Sequence, residues 1–170
     1  IRLVEAVRKN VVRVSREWVD CSTAIKQKEP TDHIRSEEVL SGPVATARYL
    51  LLLGRTLQQI STTGRLRLPG RICRGTDGRL LVPVMPVSGR FDRLAFVGFR
   101  ARVRMRAGIS PSTLAEHTAG RFRRSQSARS PRVTVVLGAG NISRVPILDV
   151  CDRIFARSEA VLLKLHPLHR

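Results

Sequence analysis

Two glycines and an asparagine directly follow an apolar run near the C-terminal end of the sequence. Val133–Leu137 is succeeded by Gly138, Gly140 and Asn141, which agrees with the first two glycines of the dinucleotide-binding pattern G-x-G-x-x-G. The third glycine is replaced by Ser143, and the acidic residue expected about 20 residues further on is absent. The match is partial, and a tight turn between a strand and a helix explains the two glycines equally well.

The elements around this loop predict a βαβ unit. Val133–Leu137 and the run from Ala160 to Leu163 are almost continuously apolar, which is typical of parallel strands covered on both faces. Pro146 suits the first turn of the intervening helix, whose apolar positions recur at spacings of three and four: Ile147, Val150, Cys151, Ile154 and Phe155. Right-handed crossover geometry then puts the loop from Gly138 to Val145 at the carboxyl edge of the sheet, where α/β proteins bind ligands.

The N-terminal third predicts helices. Apolar residues step by three and four from Leu3 to Lys28, which indicates one amphipathic helix that ends at Pro30. Trp18 lies on the apolar stripe of this helix, together with Val14, Cys21 and Ile25. We therefore predict that its side chain packs in the core. Glu37 and Glu38 are interpreted as acids in the first turn of a helix, and a further helix is predicted from Pro43 to about Ile60.

The middle of the chain predicts a β-hairpin and a basic strand. Asp77-Gly78 between two β-prone runs is a hairpin signal, and Pro83 predicts that the second strand is an edge strand or ends early. In the strand from Arg100 to Arg106, four arginines alternate with Ala101, Val103 and Met105. The arginine face would bind nucleic acid or, as the favoured alternative, pair with carboxylates. A helix from Ser110 to Phe122 and a basic linker from Arg121 to Arg132 complete the region.

The amino-acid composition of the chain limits the classes of function that it can have. The net charge of +18 suits a nucleic-acid-binding protein, but the arginines are spread along the chain and aromatic residues make up only 4%, which leaves few platforms for base stacking. Nucleic acid is therefore the less favoured partner. No apolar run approaches the roughly 18 residues of a membrane span. Three cysteines without CxxC spacing predict a reducing, cytoplasmic location. The chain begins with Ile1, which suggests a fragment.

The segment VVLGAGNISRVPILDVCDRIFARSEAVLLKLHP resembles the first βαβ unit of the aldehyde dehydrogenase superfamily, and most closely its acyl-CoA-reductase-like branch. SEEVLSGP, the Asp77-Gly78 hairpin, FDRLAFVGF and MRAGIS resemble the region that precedes this unit. The resemblance implies an α/β fold and the N-terminal portion of such a protein. Its regions are then an N-terminal helical region (residues 1–62), a hairpin and strand extension (63–109), and a truncated first βαβ of a cofactor domain (110–170).

The resemblance also implies site residues. Asn141 matches the asparagine whose amide helps hold an oxyanion, and it is the one catalytic residue predicted; Gly138, Gly140, Lys164 and His166 are the predicted cofactor-binding residues, and no metal ligand is predicted. Lys164 matches a lysine that contacts the adenosine ribose of NAD or NADP. Pro167 replaces a glutamate that favours an unphosphorylated ribose, and the basic residues His166, His169 and Arg170 around it favour NADP.

What the resemblance implies about activity is an NAD(P)-dependent oxidoreductase acting on an aldehyde or acyl-CoA, with a homo-oligomer possible. None of Cys21, Cys73 and Cys151 qualifies as the family's nucleophilic cysteine, so this chain is expected to be inactive by itself. Two alternatives stay open: a small basic nucleic-acid-binding protein, and a truncated interaction domain that uses its open sheet edge.

Overall fold

A computed structural model describes residues 1–26, 31–86, 89–118 and 132–169 of the chain. The backbone divides into two compact units, one formed by Ile1–Gln58 with Arg124–Arg170 and the other by Gln59–Arg123. Helices and small sheets both contribute, which confirms the α/β prediction at this coarse level. Among the described residues, no helix is both long and apolar enough to span a bilayer.

Four helices form the N-terminal part of the first unit. They are α1 (Arg2–Arg13), α2 (Ser15–Lys26), α3 (Asp32–Val39) and α4 (Ala45–Thr63), with a π-helical turn at Leu40–Val44 between the last two. The single helix predicted from Leu3 to Lys28 is thus wrong at one point, because the backbone leaves helical geometry at Val14 (φ −94°, ψ 6°). Pro30 lies outside the described residues.

The break at Val14 changes which side of α2 is buried. Val19, Ser22 and Thr23 are buried there, one or two residues after the predicted stripe, while Cys21 is exposed and Ile25 is 38% exposed. The buried hydroxyl of Thr23 is satisfied because it donates to the carbonyl oxygen of Val19 at 2.9 Å.

The core of this unit joins the N-terminal helices to the βαβ helix. Val4, Val11, Leu50 and Cys151 are buried together, and partly buried apolar residues pack against them, including Trp18, Tyr49, Ile147 and Phe155. The inward position of Cys151, Ile147 and Phe155 is as predicted, whereas Ile154 is 40% exposed.

Glu37 and Glu38 lie in the last turn of α3 and not in a first turn, because Thr31 is the N-cap residue of this helix. The Nζ of Lys26 lies 2.5 Å from Glu38 Oε1 and 3.0 Å from Glu37 Oε1. Donation by its ammonium group to the carboxylate of Glu38, and secondly to that of Glu37, raises the pKa of Lys26. Glu38 is only 3% exposed, so this ion pair offsets the cost of burying its charge. Pro43 lies inside the π-helical turn and does not begin a helix.

The βαβ unit forms as predicted. Strands β4 (Val133–Leu137) and β5 (Ala160–Lys164) are parallel, with Val133 opposite Ala160 and Leu137 opposite Lys164. Between them lie a helix, Val145–Cys151, called α7 here, and a π-helical turn at Asp152–Ala156.

The prediction that both faces of these strands are covered is wrong. Val136 is 6% exposed, but exposure reaches 75% at Val133, 57% at Val135 and 69% at Leu137. Alternate residues of a strand point to opposite faces, and the described structure supplies a helix, α7, on one face only. The other face therefore leaves its apolar side chains in solvent.

The second unit contains a three-stranded antiparallel sheet of order β1-β2-β3, formed by Cys73–Arg74, Leu80–Met85 and Ala101–Arg104. The hairpin is confirmed by the pairing of Cys73 with Leu81, and Gly78 takes the positive φ of its turn (+76°). β2 is the central strand and not an edge. A register shift next to Pro83 accommodates the missing N–H, and the strand ends at Met85.

Two short helices accompany this sheet, α5 (Arg90–Ala95) and α6 (Leu114–His117). Leu80, Val82 and Leu114 form the buried core of the unit, with Met105 packed against it. Val103, which alternates with the arginines of its strand, is 47% exposed. The predicted helix from Ser110 to Phe122 is shorter in its described part, and most of the predicted linker from Arg121 to Arg132 lies outside the described residues.

Candidate functional site

The loop between β4 and α7 begins at Gly138, where the backbone of β5 comes very close. The amide of Gly138 donates to the carbonyl oxygen of Lys164 at 2.8 Å, which adds one rung to the parallel ladder. A Cβ at this position would lie 2.9 Å from the backbone nitrogen of His166 and 3.2 Å from that same carbonyl oxygen. Only glycine fits here without moving the strand.

Gly140 is packed against the imidazole ring of His166. A Cβ on Gly140 would lie 2.6 Å from Cε1 and 2.7 Å from Nδ1 of that ring. The ring is oriented by a hydrogen bond in which the amide of Leu168 donates to His166 Nδ1 at 3.2 Å. The structure thus brings together three predicted cofactor-binding residues, Gly138, Gly140 and His166. It gives both glycines a packing reason, and their role as cofactor contacts stays a prediction.

Asn141 and Lys164 are both exposed at the carboxyl edge of the sheet. Lys164 is the last residue of β5 and pairs with Leu137, the last residue of β4. Asn141 follows four residues after Leu137. The amide and the ammonium group therefore belong to the same edge of the sheet, as the crossover geometry predicted, and both face solvent rather than a buried cleft.

Ser143 is a residue of this loop whose structural role the sequence did not reveal. Its Oγ accepts a hydrogen bond from the indole Nε1 of Trp18 at 2.7 Å, and Ser22 Oγ donates to it at 3.4 Å. Trp18 packs on the core as predicted, and it also ties α2 to the loop. These residues are more than 120 positions apart in sequence, so no local pattern could have indicated their contact.

A cavity of about 390 Å³ lies beside the loop. Its lining is largely apolar and includes Trp18, Ser143, Ile147, Leu163, Leu165 and His166. Pockets that hold small molecules combine such apolar walls with a few polar groups. Here the polar groups include the hydroxyls of Ser22 and Ser143 and the imidazole of His166. Asn141 does not line the cavity.

The cysteines do not offer an activated nucleophile. Cys151 is buried, and burial raises the pKa of its thiol, so the unreactive protonated form is favoured at neutral pH. Cys21 is exposed on α2, and the thiol of Cys73 contacts the carbonyl oxygen of Arg71 at 3.6 Å. Within the described ranges, no group of three histidine, cysteine or acidic residues is placed to bind a metal ion.

One arginine of the basic strand has the carboxylate partner that the sequence favoured. Arg104 Nη2 lies 2.5 Å from Asp77 Oδ2 in the hairpin turn, and Arg79 Nε lies 3.1 Å from the same oxygen. Burial raises the pKa of Asp77, but hydrogen bonds from Arg104 and from the Arg79 backbone outweigh this and hold the pKa below its ordinary value.

In comparisons with known proteins, no family model, no curated protein and no solved structure matches this chain.

Proposed function

We propose that this chain is the N-terminal part of an NAD(P)-dependent oxidoreductase of the aldehyde dehydrogenase type, which acts on an aldehyde or acyl-CoA. The observation that carries the proposal is the parallel register of β4 and β5, with Leu137 opposite Lys164. This register brings the loop with Asn141 and the strand-end lysine to one edge, which is the edge where open α/β sheets bind ligands.

The nucleotide binds on the exposed side of this edge. His166 covers Gly140, so a phosphate group has no room between them. Asn141 and Lys164 are exposed and remain accessible to a nucleotide that lies across the end of the sheet. The ammonium group of Lys164 supports NADP over NAD, because the 2′-phosphate is an anion.

Asn141 supplies an amide donor for an oxyanion. An amide N–H aimed at developing negative charge is worth roughly 3 to 4 kcal/mol. The bound nicotinamide cofactor would supply the hydride chemistry. The three cysteines do not provide the nucleophile, since Cys151 is buried and Cys21 and Cys73 belong to other elements. The chain by itself therefore binds nucleotide without turnover.

Titration of the chain with NADP⁺ and with NAD⁺ tests the proposal. Binding is measured by calorimetry and by the fluorescence emission of Trp18, which is the only tryptophan. We expect saturable binding of both nucleotides, with NADP⁺ tighter. Lys164→Gln should weaken NADP⁺ binding about tenfold, the effect of losing one charge-assisted contact. Lys9→Gln is the matched control, because Lys9 is an exposed lysine of α1.

Equal weakening by the two lysine variants would contradict a specific contact with Lys164. Equal affinity for the two nucleotides would remove the preference for NADP. Salt-sensitive retention on DNA without any binding of nucleotide would overturn the oxidoreductase proposal and favour a nucleic-acid-binding protein.

A further inference from the structure

A polar cleft of about 440 Å³ lies in the second unit, beside the hairpin turn. It is lined by Arg74, Asp77 and Arg79 on one side and by Gly108 and Ser110 on the other. Neither the βαβ unit nor the residues proposed to contact a nucleotide take part in it.

The hairpin turn holds two guanidinium groups at this cleft, those of Arg74 and Arg79, and a third, that of Arg104, contacts Asp77 from β3. Arg79 Nε and Arg104 Nη2 lie 3.1 Å and 2.5 Å from Asp77 Oδ2. Arg74 Nη1 donates to the carbonyl oxygen of Gly78 at 2.9 Å. Three guanidinium groups and one carboxylate therefore surround this turn, which leaves an excess of two positive charges. A guanidinium carries five N–H donors, and these contacts use only a few of them.

The arginines gather around the hairpin turn instead of forming a row. A row of exposed cations along a strand suits the successive phosphates of a nucleic acid. Here Arg74 and Arg79 flank the turn and line one cleft, and Arg104 is tied to Asp77, which also contacts Arg79. Guanidinium forks that line one cleft can bind a compact oxyanion through paired hydrogen bonds. Because Asp77 and Gly78 hold the side chains in place, less conformational entropy is lost on binding.

We propose that this cleft binds the phosphate group of a small phosphorylated molecule, with Arg74 and Arg79 as the principal contacts and Ser110 at its opposite wall. The site is independent of the proposed nucleotide edge, because all of its residues belong to the second unit. It also differs from a nucleic-acid surface, which would use Arg100, Arg102 and Arg106 as well.

The test is a calorimetric titration of the full chain with inorganic pyrophosphate at constant ionic strength. We expect saturable binding at one site, and about a tenfold loss of affinity for each of Arg74→Gln and Arg79→Gln. Arg102→Gln is the matched control, since Arg102 is an exposed arginine of β3 that does not line the cleft. This control should bind as the unchanged chain does, and so should Lys164→Gln. Circular dichroism confirms that each variant is folded.

Absence of saturable pyrophosphate binding to the unchanged chain would overturn the proposal. An equal loss in Arg102→Gln would also overturn it, because the effect would then reflect total charge and not the cleft. In a parallel titration with a single-stranded oligodeoxynucleotide, tighter binding that depends on Arg102 as much as on Arg79 would identify the row of arginines as the binding surface instead. If Lys164→Gln loses NADP⁺ binding but still binds pyrophosphate, the cleft is a binding site separate from the proposed nucleotide edge.

Discussion

Gly138 and Gly140 lie two residues apart but differ in what a side chain would meet. The atoms nearest to a Cβ on Gly138 are backbone atoms of His166 and Lys164, which cannot move without disturbing β5. The nearest atoms for Gly140 belong to the imidazole ring of His166, which can rotate away. The same substitution at the two positions should therefore have different costs.

We predict that Gly138→Ala lowers the free energy of unfolding by about 1–3 kcal/mol, the usual cost of overpacking, and that Gly140→Ala costs less. Urea denaturation of the two variants measures the difference. Gly54→Ala is the control: its Cβ would lie 3.7 Å from Val4 Cγ1 in ordinary contact, and alanine within α4 should stabilise the helix by roughly 0.5–1 kcal/mol. Equal destabilisation by the Gly138 and Gly140 variants would contradict this prediction, because it would show that the backbone of β5 shifts to accommodate the added methyl group.

At the scale of elements, α2 and the loop before α7 are joined by hydrogen bonds to Ser143 in a mainly apolar setting. The indole of Trp18 packs near Gly42 of the π-helical turn, whose Cβ would lie 3.6 Å from the ring. Its N–H donates to Ser143 Oγ. The contact fixes the end of the loop that carries Asn141.

Ser143→Ala should leave the half-buried indole N–H without this acceptor and cost about 1–2 kcal/mol of unfolding free energy. It should also shift the emission of Trp18, because no other tryptophan contributes to the signal. Thermal unfolding and fluorescence spectra measure the two effects. Ser36→Ala, at an exposed position of α3, should change neither. Unchanged emission in the Ser143 variant would mean that the hydrogen bond does not form in solution.

At the scale of the whole molecule, the core that joins the helices to the βαβ unit contains the only tyrosine of the chain. Burial, together with the nearby Cys151 and Asp152, raises the pKa of Tyr49 to about 12. In the unfolded chain, a tyrosine loses its proton near pH 10. Between these values the unfolded state binds fewer protons, so stability falls as the pH rises from about 10 to about 12.

The phenolate absorbance of Tyr49 should therefore titrate near pH 12 in the folded chain and near pH 10 in denaturant. Tyr49→Phe should reduce the loss of stability over this range, as followed by urea unfolding at several pH values. A midpoint near 10 in the folded chain would show that Tyr49 is not buried in this core.

Local sequence patterns were sufficient to predict that most helices and strands exist and of which type they are. The apolar spacing indicated the helices, Asp77-Gly78 indicated the hairpin turn, and the two apolar runs gave the strands of the βαβ unit and their parallel pairing. These features depend on neighbouring residues, whose periodicity and turn preferences are written in the sequence itself. The loop of Gly138, Gly140 and Asn141 was located for the same reason.

The tertiary structure alone decided which faces are buried and which side chains meet. The break at Val14 changes which residues of α2 are buried, and Glu38 forms an ion pair with Lys26. The second face of β4 and β5 is exposed to solvent, although its apolar residues had predicted burial. The contacts of Trp18 with Ser143 and of Asp77 with Arg104 join residues that are far apart in the chain. Such contacts form only when whole elements pack together, because the sequence around one residue does not indicate which distant residue it will contact.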